Sequence, residues 1–201
     1  MDSNLKTLET YEQHFSRYMR DTVDVTGGFQ KEWFEFLLTK IRKNAPILEI
    51  GSAFGRDADF IRSMGYENLT VSDAFDAAVQ ELRKRKFNHI KKINVLTDKI
   101  DGSYDLIVAA AVFLHFNKKE LTSVLNKLRG NLANDGILAF SVKLGDGEEW
   151  STHKMDAPRY FRYWRESELA KLLDENGYTV IDVRTTIEKK WLHLTCLEKK
   201  V

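Results

Sequence analysis

Apolar residues recur at two spacings along this chain, and the change from one to the other divides it. From Thr7 to Arg20, residues Leu8, Tyr11, Phe15, Tyr18 and Met19 fall at helical spacing. From Gln30 to Lys43, Trp33, Phe34, Leu37, Leu38 and Ile41 do the same. Gly27-Gly28 separates the two helices, and Asn44-Ala45-Pro46 ends the second, because the residue before proline avoids the α region. From Ile47 onward short apolar runs alternate with helical patterns. Strands are predicted at Ile47–Ile50, Leu69–Val71, Ile90–Val95, Asp105–Ala109 and Gly136–Val142. Helices are predicted at Arg56–Met64, Phe75–Arg85, Lys118–Leu132 and Glu166–Asn176, the last closed by Gly177. Two late strands, Tyr178–Arg184 and Trp191–Leu197, are joined by a turn containing Glu188-Lys189-Lys190.

Strand–helix alternation implies parallel strands with crossover helices on both faces. The last two strands lie close enough in sequence to be antiparallel. The expected fold is therefore α/β, a doubly wound sheet with a hairpin at its edge. A length of 201 residues fits one domain. Hydrophobic residues at 43% and charged residues at 30% are ordinary globular usage, which excludes a disordered or fibrous chain. Lys and Arg total 31 against 30 Asp and Glu, a net charge of +1, so binding nucleic acid through bulk charge is not expected. The single cysteine, Cys196, permits no intrachain disulfide and no Cys-based zinc site, and suits a reducing cytoplasm. The first residues lack the basic-then-apolar pattern of a secretory signal, and no window approaches the ~20 apolar residues of a membrane span.

In an open parallel sheet, ligands bind beyond the carboxyl ends of the strands. After the first strand comes Glu49-Ile50-Gly51-Ser52-Ala53-Phe54-Gly55-Arg56-Asp57, a turn of small residues leading into a helix N-terminus. Such a turn also serves packing alone. After the second strand comes Asp73, spaced from Gly51 as a ribose-binding acid would be; standing alone it would be a helix N-cap. Together they indicate an adenosine-type ligand. Glu49, at the end of the strand, would be unwelcome beside a pyrophosphate but suits a ligand with an ammonium group, which disfavours a nicotinamide dinucleotide.

LEIGSAFGRDADFI, VSDAFDAAVQELRKR, YDLIVAAAVFLHF and LRGNLANDGILAFSVKLGDGEE resemble the successive motifs of class I S-adenosylmethionine-dependent methyltransferases, over about Tyr11 to Lys199. RYFRYWRESELAKLLDENGYTVIDVRTT and the closing WLHLTCLEKK look like the tail of small bacterial members, which include tellurite-resistance-like enzymes. The resemblance implies a Rossmann-like, seven-stranded sheet in the order 3-2-1-4-5-7-6 with the last strand antiparallel. It implies one domain over 1–201, with 1–45 as a helical lid and 46–201 as the cofactor-binding core. It also implies S-adenosyl-L-methionine as cofactor and S-adenosyl-L-homocysteine as product. By that resemblance Glu49, Gly51, Ser52, Ala53 and Gly55 form the methionine-side loop. Asp73 holds the ribose, with Ala74 and Phe75 against the adenosine, and Asn94 and Val95 read the adenine. Ala109, Ala110 and Ala111 line the wall near the sulfonium. Two departures stand out: Ala53 replaces a glycine, which is tolerable if its φ stays negative, and Asn134-Asp135-Gly136 replaces Pro-Gly-Gly.

Methyl transfer from a sulfonium needs alignment more than activation, and a base only when the acceptor carries a proton. His115 is the candidate base, or else a histidine hydrogen-bonded to backbone at the start of a helix. Tyr11, His14 and Tyr18 share the first helix and are candidates to bind the acceptor, as are Lys143 at the end of strand five and Arg159 and Tyr160 in the aromatic-basic stretch that follows. The loop from Gly145 to Arg162 is expected to reach the pocket. The run Arg83-Lys84-Arg85-Lys86 with Lys91 and Lys92 reads as a solvated helix end rather than an RNA contact. The reading is thus a cytoplasmic methyltransferase with a small-molecule acceptor. The alternatives are a tRNA methyltransferase, an NAD-dependent oxidoreductase and a cofactor-binding module without turnover.

Overall fold

The computed structural model describes residues 2–186, 188 and 190–200. Helix α1 runs from Ser3 to Arg20, opening earlier than its apolar spacing indicates because the Asp2 carboxylate accepts from the Asn4 and Leu5 N–H groups. It kinks at His14, where φ is −113° and ψ is 17°. Helix α2, Gly28–Leu38, ends short of the expected Lys43. Thr39 caps it, and its hydroxyl donates to the Phe36 carbonyl at 2.7 Å, a local bond that competes with helix continuation.

Strands β1 (Ile47–Ile50), β2 (Leu69–Asp73), β3 (His89–Lys92), β4 (Tyr104–Ala109) and β5 (Leu132–Leu144) alternate with α3 (Arg56–Ser63), α4 (Asp76–Lys84) and α5 (Lys118–Arg129). After β5 come β6 (Glu148–Ser151), β7 (Arg159–Trp164), α6 (Glu166–Glu175), β8 (Tyr178–Thr185) and β9 (Trp191–Glu198). The first five strands pair in parallel in the order β3-β2-β1-β4-β5. β9 runs antiparallel beside β5, and β8 lies outside it. This is the seven-stranded order that the resemblance implies. Of the joining turn, Lys189 lies outside the described residues.

Alternation along the strands divides the core in two. Ile47, Leu106, Val108, Ile137 and Ala139 face α2 and α3, where Trp33, Phe34, Leu37, Ala58 and Ile61 are buried. Leu48, Ile107, Leu138, Phe140 and Leu194 face α5 and α6. α2 therefore belongs to the sheet's covering layer. α1 stands apart, packing Phe15 against Phe54 and Phe75 across the carboxyl ends of β1 and β2.

Three expectations are corrected. The segment after β5 is not a loop up to Arg162: β6 and β7 form an antiparallel hairpin, and β7 pairs in parallel with the last two residues of β5. The aromatic-basic stretch, expected to follow strand five as part of that loop, is strand β7 over Arg159–Trp164. β3 stops at Lys92 rather than Val95, because the Asn94 side chain turns the chain by accepting from the Leu96 N–H at 3.0 Å. Asn134-Asp135-Gly136 lies inside β5, at the irregularity in its pairing with β4, with Asp135 at φ 62°.

Candidate active site

The parallel strands end at a cavity of about 440 Å³, roofed by α1 and reaching across to β9. At one end Asp73 closes β2. Its carboxylate accepts from the Ala53 N–H at 2.8 Å and the Ala74 N–H at 2.7 Å, tying the loop after β1 to the loop after β2. Burial pushes this carboxyl up to about 6 against the opposing pull of those backbone donors. Ala53 has φ 49°, in the left-handed region, so the condition under which alanine replaces the glycine without strain is not met. The two-residue reach from Gly51 to the Asp73 carboxylate holds it there, at the strain a non-glycine residue carries in that region. Gly51, at φ 72°, admits no side chain, since a Cβ would collide with the Val112 side chain.

Glu49 is 2% exposed and its Oε2 has no partner. Burial, reinforced by the negative charge of Asp57, raises its carboxyl to about 8. Leaving such a group unpaired in the free protein costs stability and suits it to a ligand cation. Ser52 continues the loop: its Oγ accepts from the Ser72 N–H at 3.2 Å.

Over the middle of the cavity, three side chains are linked. His115 Nδ1–H donates to the Tyr160 carbonyl at 2.6 Å, so its Nε2 is the acceptor for the Tyr11 hydroxyl at 3.1 Å. The same hydroxyl oxygen accepts from Arg159 Nη1 at 3.0 Å. Burial holds the His115 imidazole neutral, its pKa lowered to about 4. Both ring nitrogens are engaged, so any proton reaching His115 passes through the Tyr11 hydroxyl. Burial also raises the Tyr11 phenol, while the Arg159 guanidinium opposes that shift.

Most residues expected at the cofactor border the cavity: Glu49, Gly51, Ser52, Ala53, Asp73, Ala74, Phe75, Asn94, Val95 and Ala110. So do Ala111, Tyr11, Tyr18 and His115. The structure removes others from it. Gly55 lies beneath the loop, where a Cβ would meet Phe87 at 2.8 Å. Ala109 points into the opposite core. His14 sits at the helix kink and is not among the residues lining the cavity. The Lys143 ammonium lies over the Phe161 ring, 4.3 Å from its centroid. Tyr160 contributes its backbone carbonyl, its ring being packed against Trp150. Arg159 acts from behind Tyr11. Arg159 and Tyr160 were assigned by position along an expected loop; as neighbours on β7 they diverge, Arg159 to the Tyr11 hydroxyl and the Tyr160 ring to Trp150.

The sequence reading also missed wall residues. Asn4 and Thr7 come from the first turns of α1, and the Asn94 amide donates to Asn4 at 2.9 Å. The wall also includes Phe29 and Gln30 of α2, Ser141 of β5, and Trp191 and His193 of β9. Ser141 and His193 interrupt otherwise apolar strands, and a polar side chain in a buried strand was the available signal.

Arg85 is drawn into pairs with Asp24 and Asp59, Lys84 pairs with Glu81, and Lys92 with Asp76. Half of the basic run, Lys84, Arg85 and Lys92, is thus paired with acidic neighbours.

Fold and site together define a class. A methyltransferase-domain family model matches residues 15–183, and the chain belongs to that family. Solved structures share the fold. Magnesium protoporphyrin IX methyltransferase from Synechocystis PCC 6803, with bound S-adenosylmethionine, is 14% identical with a TM-score of 0.76, over 99% of this chain and 98% of that one. The 1,6-didemethyltoxoflavin-N1-methyltransferase of Burkholderia thailandensis is 17% identical with a TM-score of 0.75, over 98% and 88%. The CcbJ methyltransferase of Streptomyces caelestis is 13% identical with a TM-score of 0.75, over 95% and 98%. Among curated proteins none matches by sequence. No helix among the described residues is long and apolar enough to cross a membrane.

Proposed function

We propose that this methyltransferase binds S-adenosyl-L-methionine in the α1-roofed cavity and transfers its methyl group to a small-molecule acceptor. The observation that carries the cofactor reading is the buried Glu49 carboxyl with an unpartnered oxygen, in the same cavity as the Asp73 carboxylate. Glu49 would meet the ammonium of the methionine moiety and Asp73 the ribose hydroxyls. Asn94 and Val95 would flank the adenine, and Phe75, stacked on Tyr11 with ring centroids 6.0 Å apart, would cover the adenosine. The bound sulfonium supplies an already activated methyl group; the acceptor–carbon bond forms as the sulfur–carbon bond breaks, leaving S-adenosyl-L-homocysteine. The chain's own part is alignment and exclusion of water, which α1 provides by closing over the site. His115 and Tyr11 are the proposed proton-handling pair beside it.

Two solved structures of this fold are named for small-molecule acceptors, magnesium protoporphyrin IX and 1,6-didemethyltoxoflavin, which supports a small acceptor. The pairing of Lys84, Arg85 and Lys92 with acidic neighbours and the balanced charge favour it over RNA.

Parallel isothermal titrations with S-adenosylmethionine, S-adenosylhomocysteine and NAD test the cofactor. Micromolar binding of the first two and none of the third is expected; binding of NAD alone would overturn the reading.

A further inference from the structure

The cavity's charged side chains fall in one group. Glu49, Arg56, Asp57 and Asp73 all border the proposed cofactor loop. Among the described residues, the part of the cavity lined by Phe29, Gln30, Ser141, Thr186, Trp191 and His193 has no lining side chain with a formal charge once His193 is neutral, and it meets the charged group where Gln30 faces Asp57.

The chemistry of that part follows from one chain of hydrogen bonds. Gln30 Nε2 faces Asp57 Oδ2 at 3.4 Å, and Gln30 Oε1 faces His193 Nε2 at 3.1 Å. The carboxylate sets the amide's orientation, because the reverse would put amide oxygen against carboxylate oxygen. Amide oxygen then accepts from His193, so the ring's proton sits on Nε2 and Nδ1 keeps a lone pair. That Nδ1 has no partner, on a side chain only 3% exposed. Burial, with the charge of Arg184 in the same direction, keeps the ring neutral, its pKa lowered to about 4.

Directly across the sheet, Ser141 pairs in register with His193. Its Oγ accepts from the Ala111 N–H at 2.9 Å, which leaves the hydroxyl proton to be donated. Ala111 follows the end of β4, and its neighbour Val112 presses on the Gly51 position of the cofactor loop. The Ser141–His193 pair thus stands next to where the methyl group would be delivered. Aromatic surface surrounds it: the Phe29 ring lies 4.9 Å from the His193 ring, and Trp191 borders the same part.

We infer that Ser141 and His193 form the acceptor-recognition pair, and that the acceptor is a flat, uncharged heteroaromatic molecule. It would present an N–H or O–H donor to His193 Nδ1 and an adjacent carbonyl or ring nitrogen to the Ser141 hydroxyl. An anion would find no cationic side chain among the described residues lining this part of the cavity, the nearby Arg184 guanidinium being paired with Asp182 and stacked over the Phe36 ring, and would leave an imidazole lone pair facing negative charge. This inference rests on the cofactor reading above and narrows its acceptor class.

The test uses the full chain saturated with S-adenosylhomocysteine. The probes are carbostyril, a neutral bicyclic lactam with N–H beside C=O, and its anionic counterpart quinaldate. Carbostyril is expected to bind and quinaldate to bind more weakly. His193→Phe, which keeps a ring in place, should weaken carbostyril by roughly tenfold or more while leaving S-adenosylhomocysteine affinity unchanged. Nitrogen NMR of the unaltered chain should show the Nε2–H tautomer at His193, a readout that does not require the variant to fold. Tighter binding of quinaldate, no binding of carbostyril, unchanged carbostyril affinity in His193→Phe, or an Nδ1–H tautomer would each overturn the inference. Failure to bind S-adenosylhomocysteine in the unaltered chain strikes the cofactor reading instead.

Discussion

Glu49 and Asp73 are buried carboxyls raised for the same first reason, loss of solvent, yet they differ in what opposes it. Asp73 has backbone donors; Glu49 Oε2 has none. Because the folded Glu49 value of about 8 lies above its ordinary 4.5, its contribution to stability is complete below 4.5 and is lost as pH rises through about 8. A cationic ligand group reverses the preference by favouring the carboxylate. At about pH 7 cofactor binding should therefore release a proton, and affinity should fall as pH drops from about 8 towards 6. Calorimetry in buffers of different ionisation enthalpy reads the proton directly. Equal affinity and no proton release in both the native chain and Glu49→Gln would exclude the ammonium contact. For Asp73→Ala, S-adenosylhomocysteine affinity should fall at least tenfold, about 1.4 kcal/mol. Circular dichroism must show the variant folded, and unchanged affinity would remove the ribose assignment.

Helix α1 shows how one element is both roof and clasp. Thr10 donates to the Pro158 carbonyl at 2.7 Å, the Tyr160 N–H donates to Thr7 Oγ1 at 3.0 Å, and Tyr11 joins His115 to Arg159. These bonds reach β7, so the unforeseen hairpin is what α1 fastens to. Tyr11→Phe would leave the His115 Nε2 and one Arg159 donor unpaired in a buried place. It should lower unfolding stability by about 2 kcal/mol and speed amide exchange in α1 more than in α5. Equal exchange in the two helices would show that the hydroxyl does not hold the roof.

The whole molecule rests on a sheet covered on both faces, with a reporter on each: Trp33 under α2 and Trp164 near α6, both fully buried. Because both layers pack on the same strands, fluorescence and far-ultraviolet dichroism should trace one unfolding transition in urea. Phe140, fully buried in β5 with the Phe113 ring 5.1 Å away, is the place to perturb it. Phe140→Ala should destabilise the whole transition by about 3–5 kcal/mol. Two separated transitions would mean that the layers unfold independently.

The alternation of apolar runs with helical patterns was enough to determine the doubly wound class and the carboxyl-end location of the site, because parallel strands need crossover helices; the strand order came with the family resemblance, and α2, expected within a lid over 1–45, was assigned to the sheet's covering layer only by tertiary packing. Glu49, Gly51 and Asp73 were legible for a related reason: each sits immediately beyond a strand, where local sequence sets position. Residues distant in sequence were not so legible. Tyr160 and Lys143 stand near the site in chain order, yet the Tyr160 ring packs on Trp150 and the Lys143 ammonium over Phe161, while Arg159 reaches the site only through the Tyr11 hydroxyl. Ser141 and His193 come from segments that meet only when β9 inserts antiparallel beside β5. Their pairing, the tautomer set through Gln30, and the uncharged part of the cavity arise from long-range register, which tertiary packing alone decides.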